Sequence, residues 1–183
     1  MIGTRVDQTL KGVFGEGKYV SSALYTDLYF APGVYAKLLS KPDALKSVID
    51  TISGTPGVLR VLRSDQLAAA RASKDPIERA ASLSYFPDRS GDLIIVPKPY
   101  WILSTTAGTT HGTGNEYDQR VPVILMGPGV KAGIYPQTAS PADIAPTLAA
   151  ICGVAMPKSD GRVLREALTA AAGTRSDAPR AHR

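Results

Sequence analysis

Two histidines are the whole imidazole complement of this 183-residue chain. His182 falls in a C-terminal tail, where it reads as solvated. His111 is the residue whose type and setting could do chemistry. It sits in Gly108-Thr109-Thr110-His111-Gly112-Thr113-Gly114, where the neighbours carry almost no bulk, so a metal ion or ligand can approach the ring. Neutral imidazole is a common zinc ligand. The plainer reading of a lone histidine is structural, and the residues around it leave both open.

The other reactive types point to less. Cys152 is the single cysteine, which excludes an internal disulfide framework and a multi-cysteine zinc site. It lies on the apolar side of a predicted helix with no histidine near it in sequence. It reads as a buried, inert thiol. Gly12-Val13-Phe14-Gly15-Glu16-Gly17-Lys18 fits the phosphate-loop pattern G-x-x-x-x-G-K, but Tyr19 stands where Ser or Thr would hold magnesium. A helix before it and a strand after it reverse the required order, so a glycine turn is the better reading. Arg89, in Asp88-Arg89-Ser90-Gly91-Asp92, could meet an anion. A turn in which Asp88 or Ser90 bonds the backbone is favoured. Tyr100 and Trp101 could stack on a ligand, although packing against the adjacent loop is favoured.

The elements that must position these residues follow from periodicity. Val6, Leu10, Val13 and Phe14 predict a short helix ending at Gly15. Lys18 to Phe30 reads as a strand bent near Ser21–Ser22. Asp43 to Ile52 is a predicted helix with Leu45, Val48, Ile49 and Ile52 on one face and Gly54 beyond it. Val58 to Leu62 is a strand, Ser64 to about Ser73 a short helix, and Pro76 to Ser82 another. Leu83 to Pro87 and Leu93 to Pro97 suggest a hairpin across Asp88–Asp92. Val121 to Met126 is nearly all apolar, as suits a strand buried on both faces. Ser140-Pro141-Ala142-Asp143 carries a cap, a first-turn proline and a capping-box acid for a helix ending at Gly153. A last helix is predicted over 163–171.

Composition narrows the class. Hydrophobic residues are 44% and charged residues 20%, which excludes disorder throughout, and the length suits one domain. The net charge is +5, but Arg175, Arg180 and Arg183 concentrate part of it in the tail. No aromatic RNA-binding motif, zinc-finger spacing or Lys/Arg block is present, so no nucleic-acid partner is expected. No apolar run approaches about 18 residues, so no membrane partner is expected either. Met1 to Phe14 lacks the apolar core of a signal peptide.

Taken in order, several short runs carry a resemblance. They are Pro56-Gly57-Val58, Pro87 to Leu93, Gly108 to Gly112, Tyr117-Asp118 with Val121-Pro122, Gly127-Pro128-Gly129, Asp143-Ile144-Ala145-Pro146-Thr147, Gly153-Val154 and Asp160-Gly161-Arg162. The series resembles the C-terminal part of the alkaline phosphatase superfamily, in the branch that groups bacterial alkaline phosphatases with type I phosphodiesterases and nucleotide pyrophosphatases. The resemblance implies that His111 is a zinc ligand in a two-zinc site, and that the substrate is a small phosphate ester. It also implies a periplasmic or secreted setting for intact relatives. The family's nucleophilic Thr or Ser, its Asp-x-x-x-His pair and its Asp-His-Gly do not occur here. The chain is therefore expected to be a C-terminal portion, inactive alone, with no catalytic residue of its own.

The resulting expectation is an α/β fold forming part of an alkaline-phosphatase-like sandwich over 1–172. Residues 17–100 would be a small α+β insertion and 104–172 core strands and helices. The tail at 173–183 would be basic and disordered. A missing portion of sheet would leave an exposed edge and invite self-association. Alternatives are a non-catalytic remnant or interaction module and, within the superfamily, a sulfatase or phosphomutase relative.

Overall fold

A computed structural model describes residues 1–24, 26–104 and 108–170. It divides into two compact units, Met1–Val121 and Pro122–Arg183. The tail from Gly173, with His182, lies outside the described residues. None of the described helices is long and apolar enough to cross a membrane.

The first unit opens with α1, Ile2–Phe14, whose buried residues Val6 and Leu10 lie one turn apart on one face. The stretch read as one bent strand is instead a hairpin of β1, Val20–Leu24, and β2, Asp27–Phe30. Folding back lets the extended chain satisfy its own ladder groups. The predicted bend survives as a register irregularity between Val20 and Ser22. A helix of six residues, α2, Val34–Leu39, follows. It buries only Leu38, so it shows no repeated apolar face for periodicity to detect. The helix α3, Pro42–Ser53, buries Ala44, Leu45, Val48 and Ile52, close to the predicted stripe. The strand β3 is Val58–Arg63. Then come α4, Ser64–Leu67, and a 3-10 turn, Ala70–Ala72, where one short helix is expected. The helix α5, Pro76–Ser84, is capped by Asp75, whose carboxylate accepts the Ile77 and Glu78 N–H groups.

The hairpin expected across Asp88–Asp92 does not form. Leu83 belongs to α5, and no strand precedes the turn. The turn itself matches the reading: Ser90 Oγ accepts the Phe86 N–H at 3.0 Å, and Asp88 takes φ +62°. The last strand, β4, Leu93–Pro97, pairs antiparallel with both β2 and β3, so the sheet runs β1-β2-β4-β3. Its side chains alternate between two cores. Leu93 and Ile95 join Val6, Leu10, Val48 and Ile52 of α1 and α3, while Ile94 and Val96 join Leu62, Leu67 and Ile77. A strand covered on both faces needs an unbroken apolar run, and Leu93-Ile94-Ile95-Val96 supplies it. Beyond β4 the unit ends with the His111 loop and α6, Glu116–Gln119.

The second unit departs further from expectation. Residues 121–126 form no strand, and Ile124 and Met126 are 83% and 97% exposed. An apolar run buried on both faces needs neighbours on both sides, and the described residues do not flank this one on both. The capping box at Ser140 and Asp143 is present. It opens a 3-10 turn, Pro141–Asp143, that runs into α7, Ile144–Cys152. Gly153 ends α7 with φ +69°. Buried Thr147 donates its hydroxyl to the Asp143 carbonyl at 2.6 Å and accepts the Leu164 N–H at 2.9 Å. Asp143 also accepts the Arg162 N–H at 2.8 Å. A Cβ at Gly161 would collide with the Ala142 carbonyl. The Asp143 and Asp160-Gly161-Arg162 motifs are thus tied together as structure.

Two further readings are corrected. Cys152 is exposed, not buried. The buried residues of α7 are Pro146, Thr147 and Ala150, and position 152 rotates off that face. Within the predicted last helix, Arg165–Ala167 form a 3-10 turn and Leu168 returns to extended backbone and bridges Val130; Ala170 is again helical, and residue 171 lies outside the described residues.

Candidate functional site

His111 stands exposed in the loop between β4 and α6. Its C-terminal side is held by the first turn of α6. The Asp118 carboxylate accepts the Thr113 N–H at 2.6 Å. That bond, with the Thr113 hydroxyl and the His111 ring adding to it, holds the carboxyl below the usual range. Thr113 Oγ1 in turn accepts from the Asn115 side-chain amide at 3.1 Å. Gly112 takes φ +100°, which lets the chain turn immediately after the histidine.

Two aromatic residues stand beside this loop in the chain. Tyr100 stacks on Tyr117, with centroids 4.6 Å apart at 15°, and donates its N–H to the Tyr117 hydroxyl at 2.8 Å. These contacts hold Tyr100 at φ +64°, a value rare without glycine. Trp101 packs over Gly57, where a Cβ would fall inside the indole. Trp101 thus packs within the protein, but its partner is the Gly57 turn rather than the adjacent loop. The indole nevertheless remains 48% exposed, and it lines a cleft of about 890 Å³ together with His111. Leu24, Pro97, Ile102 and Leu103 extend the apolar wall, while Thr109, Thr110 and Thr113 add hydroxyls.

The positioning roles of Asp118 and Thr113 escape a reading of the sequence, which takes Tyr117-Asp118 only as part of a motif. The available signal is local: Thr113 and Asn115 precede a four-residue helix that carries Asp118.

A catalytic zinc usually takes three protein ligands. Among the described residues, no three of His, Cys, Asp and Glu come together as a set that could hold a metal ion. His111 with Asp118 nearby falls short, so the described residues do not by themselves hold a catalytic zinc. The glycine run at Gly12–Lys18 offers no phosphate loop, since α1 runs to Phe14 and β1 follows from Val20.

No family model matches the chain. It is 31% identical over 150 residues to alkaline phosphatase PafA of Elizabethkingia meningoseptica, covering 81% of this chain and 27% of that protein. It is 32% identical over 124 residues to alkaline phosphatase PhoV of Synechococcus elongatus, covering 67% of this chain and 22% of that protein. The crystal structure of wild-type PafA superposes with a TM-score of 0.71 at 27% identity, covering 92% of this chain and 33% of the solved one. The chain thus spans about a quarter of the length of the curated relatives it matches. Over that span it is similar to both in sequence and to PafA in fold, and it belongs to the alkaline phosphatase superfamily.

Proposed function

We propose that the chain is part of a zinc-dependent phosphate-ester hydrolase of the alkaline phosphatase type, in which His111 supplies one zinc ligand. The observation that carries this reading is the His111 loop itself. Its imidazole is exposed on a cleft, its neighbours are Gly and Thr, and its return is pinned by the Asp118–Thr113 bond. The similarity to PafA and PhoV supports the phosphate-ester class. Two-metal ester cleavage needs ions about 3.5–4 Å apart, which one histidine does not provide. The remaining ligands and the oxygen nucleophile then belong to sequence that this chain does not contain, and the chain alone is inactive.

A second reading, an interaction module, draws on the exposed apolar residues at 121–126. The same exposure favours self-association.

Equilibrium dialysis against zinc tests the hydrolase reading. The chain is expected to bind zinc weakly, without a tight stoichiometric ion, and His111→Ala is expected to abolish that binding. Turnover of p-nitrophenyl phosphate should stay at background with zinc present. Zinc binding unchanged in His111→Ala would remove the ligand assignment. Robust turnover would show that the chain is catalytically complete.

A further inference from the structure

Asn115 breaks a local rule. It stands at the N-cap of α6 with φ −76° and ψ 144°, where an Asn side chain ordinarily accepts an N–H of the first turn. Asn115 makes no such bond. Its side-chain amide instead donates twice, to Thr113 Oγ1 at 3.1 Å and to the Tyr117 hydroxyl at 3.2 Å. The Tyr117 hydroxyl also accepts the Tyr100 N–H at 2.8 Å. One continuous path therefore runs from Tyr100 through Tyr117 and Asn115 to Thr113. At one end Tyr100 leads into Trp101 on the cleft wall. At the other, Thr113 lines the same cleft two residues past His111. Tyr100 is held at φ +64°. Such a backbone is costly for tyrosine and persists only where its surroundings enforce it.

We propose that α6 clamps the two walls of the cleft together, with Asn115 and Tyr117 as positioning residues that act on His111 through Thr113. Both donated hydrogens sit on one planar amide nitrogen, so that group fixes Thr113 and Tyr117 relative to each other. Loosening either end of such a network loosens the other. The proposal rests on the reading of His111 as the reactive side chain of its loop and adds what holds it in place. Its measurements read loop order without added metal, so they succeed or fail apart from the ligand assignment.

Amide hydrogen exchange and nitrogen-15 relaxation on the 183-residue chain test the clamp. Tyr117→Phe keeps the ring that stacks on Tyr100 and removes only the hydroxyl. Exchange at Tyr100 should rise, because its own bond is lost. The Thr113 N–H bonds Asp118 and not Tyr117, yet its exchange should also rise roughly three- to tenfold, the range one net hydrogen bond implies. The His111 and Gly112 amides should lose order with it. In the other direction, Thr113→Val should speed exchange at Tyr100 by a similar factor, while Thr113→Ser, which keeps the hydroxyl, should leave it at the wild-type rate. Asn115→Ala should raise both rates and covers the case in which Thr113→Val does not fold. Protection of the β4 amides should persist throughout. Unchanged Thr113 exchange in Tyr117→Phe, or unchanged Tyr100 exchange in Thr113→Val, overturns the proposal, since each bond then acts only locally. Equal Tyr100 rates in Thr113→Ser and Thr113→Val overturn it as well. If the exchange results hold while His111→Ala leaves zinc binding unchanged, the clamp stands and the ligand reading falls.

Discussion

The Thr113 N–H donates to the Asp118 carboxylate at 2.6 Å, and with the Gln119 side-chain amide on the Gly114 carbonyl it ties the return of the His111 loop to α6. A loop rich in Gly and Thr has much conformational freedom to lose. Asp118 limits that freedom two residues beyond the imidazole without occupying the cleft.

Removing this tie should free the loop and spare the fold. Asp118→Ala is expected to cost about 1 kcal/mol of stability, as for a partly exposed hydrogen bond. Hydrogen exchange at the Thr113 amide should accelerate sharply, while the amides of β4 keep their protection. Unchanged exchange at Thr113 would show that the loop is held by other contacts.

Gly57 should not tolerate a side chain. It has φ +87°, and a Cβ there meets the Trp101 ring. Gly57→Ala is expected to destabilise the chain by about 1–3 kcal/mol, through backbone strain and overpacking together. Urea unfolding gives the loss, and a shift in Trp101 emission identifies its place.

Asp75 predicts a pH dependence of definite sign. Its carboxylate bonds the Arg60 guanidinium at 2.6 Å and caps α5, and these contacts lower its pKa from 3.8 to about 2, with Arg60 the largest cause. A carboxyl depressed in the folded state adds stability that is complete above its unfolded value and lost as pH falls through the folded one. The urea midpoint of the wild type should therefore exceed that of Asp75→Asn at about pH 5, and the two should converge near pH 2. A gap that persists at the acid end would assign the difference to something other than this ionisation.

Association should run through the exposed apolar residues rather than the edges of the four-stranded sheet. The edge strand β3 carries Arg60 and Arg63, and β1 is short and irregular in register, both features that blunt edge pairing. Ile124 is 83% exposed. Sedimentation of the wild type should reveal concentration-dependent association, and Ile124→Lys should reduce it without lowering the melting temperature. Equal association of wild type and variant would move the contact elsewhere.

Local chemistry alone determined α1, α3, α5 and α7. The stripe of Leu45, Val48 and Ile52, the Ser140–Asp143 capping box and the Gly153 stop are legible because helix partners lie three or four residues apart. The ordered motifs around His111 carried the superfamily in the same way. What the sequence did not determine is which segments meet across long separations. β4 lies between β2 and β3 instead of in a hairpin with its predecessor, and one predicted strand became β1 and β2. The run at 121–126 is patterned for burial on both faces, yet such burial depends on neighbours on both sides, which the described residues do not supply. Cys152 left the apolar face because the rotation of α7 is set by the contacts of Pro146, Thr147 and Ala150. The cleft is likewise a tertiary product. Trp101 reaches Gly57 only because the folded backbone brings them together, and residue type carries no record of that distance.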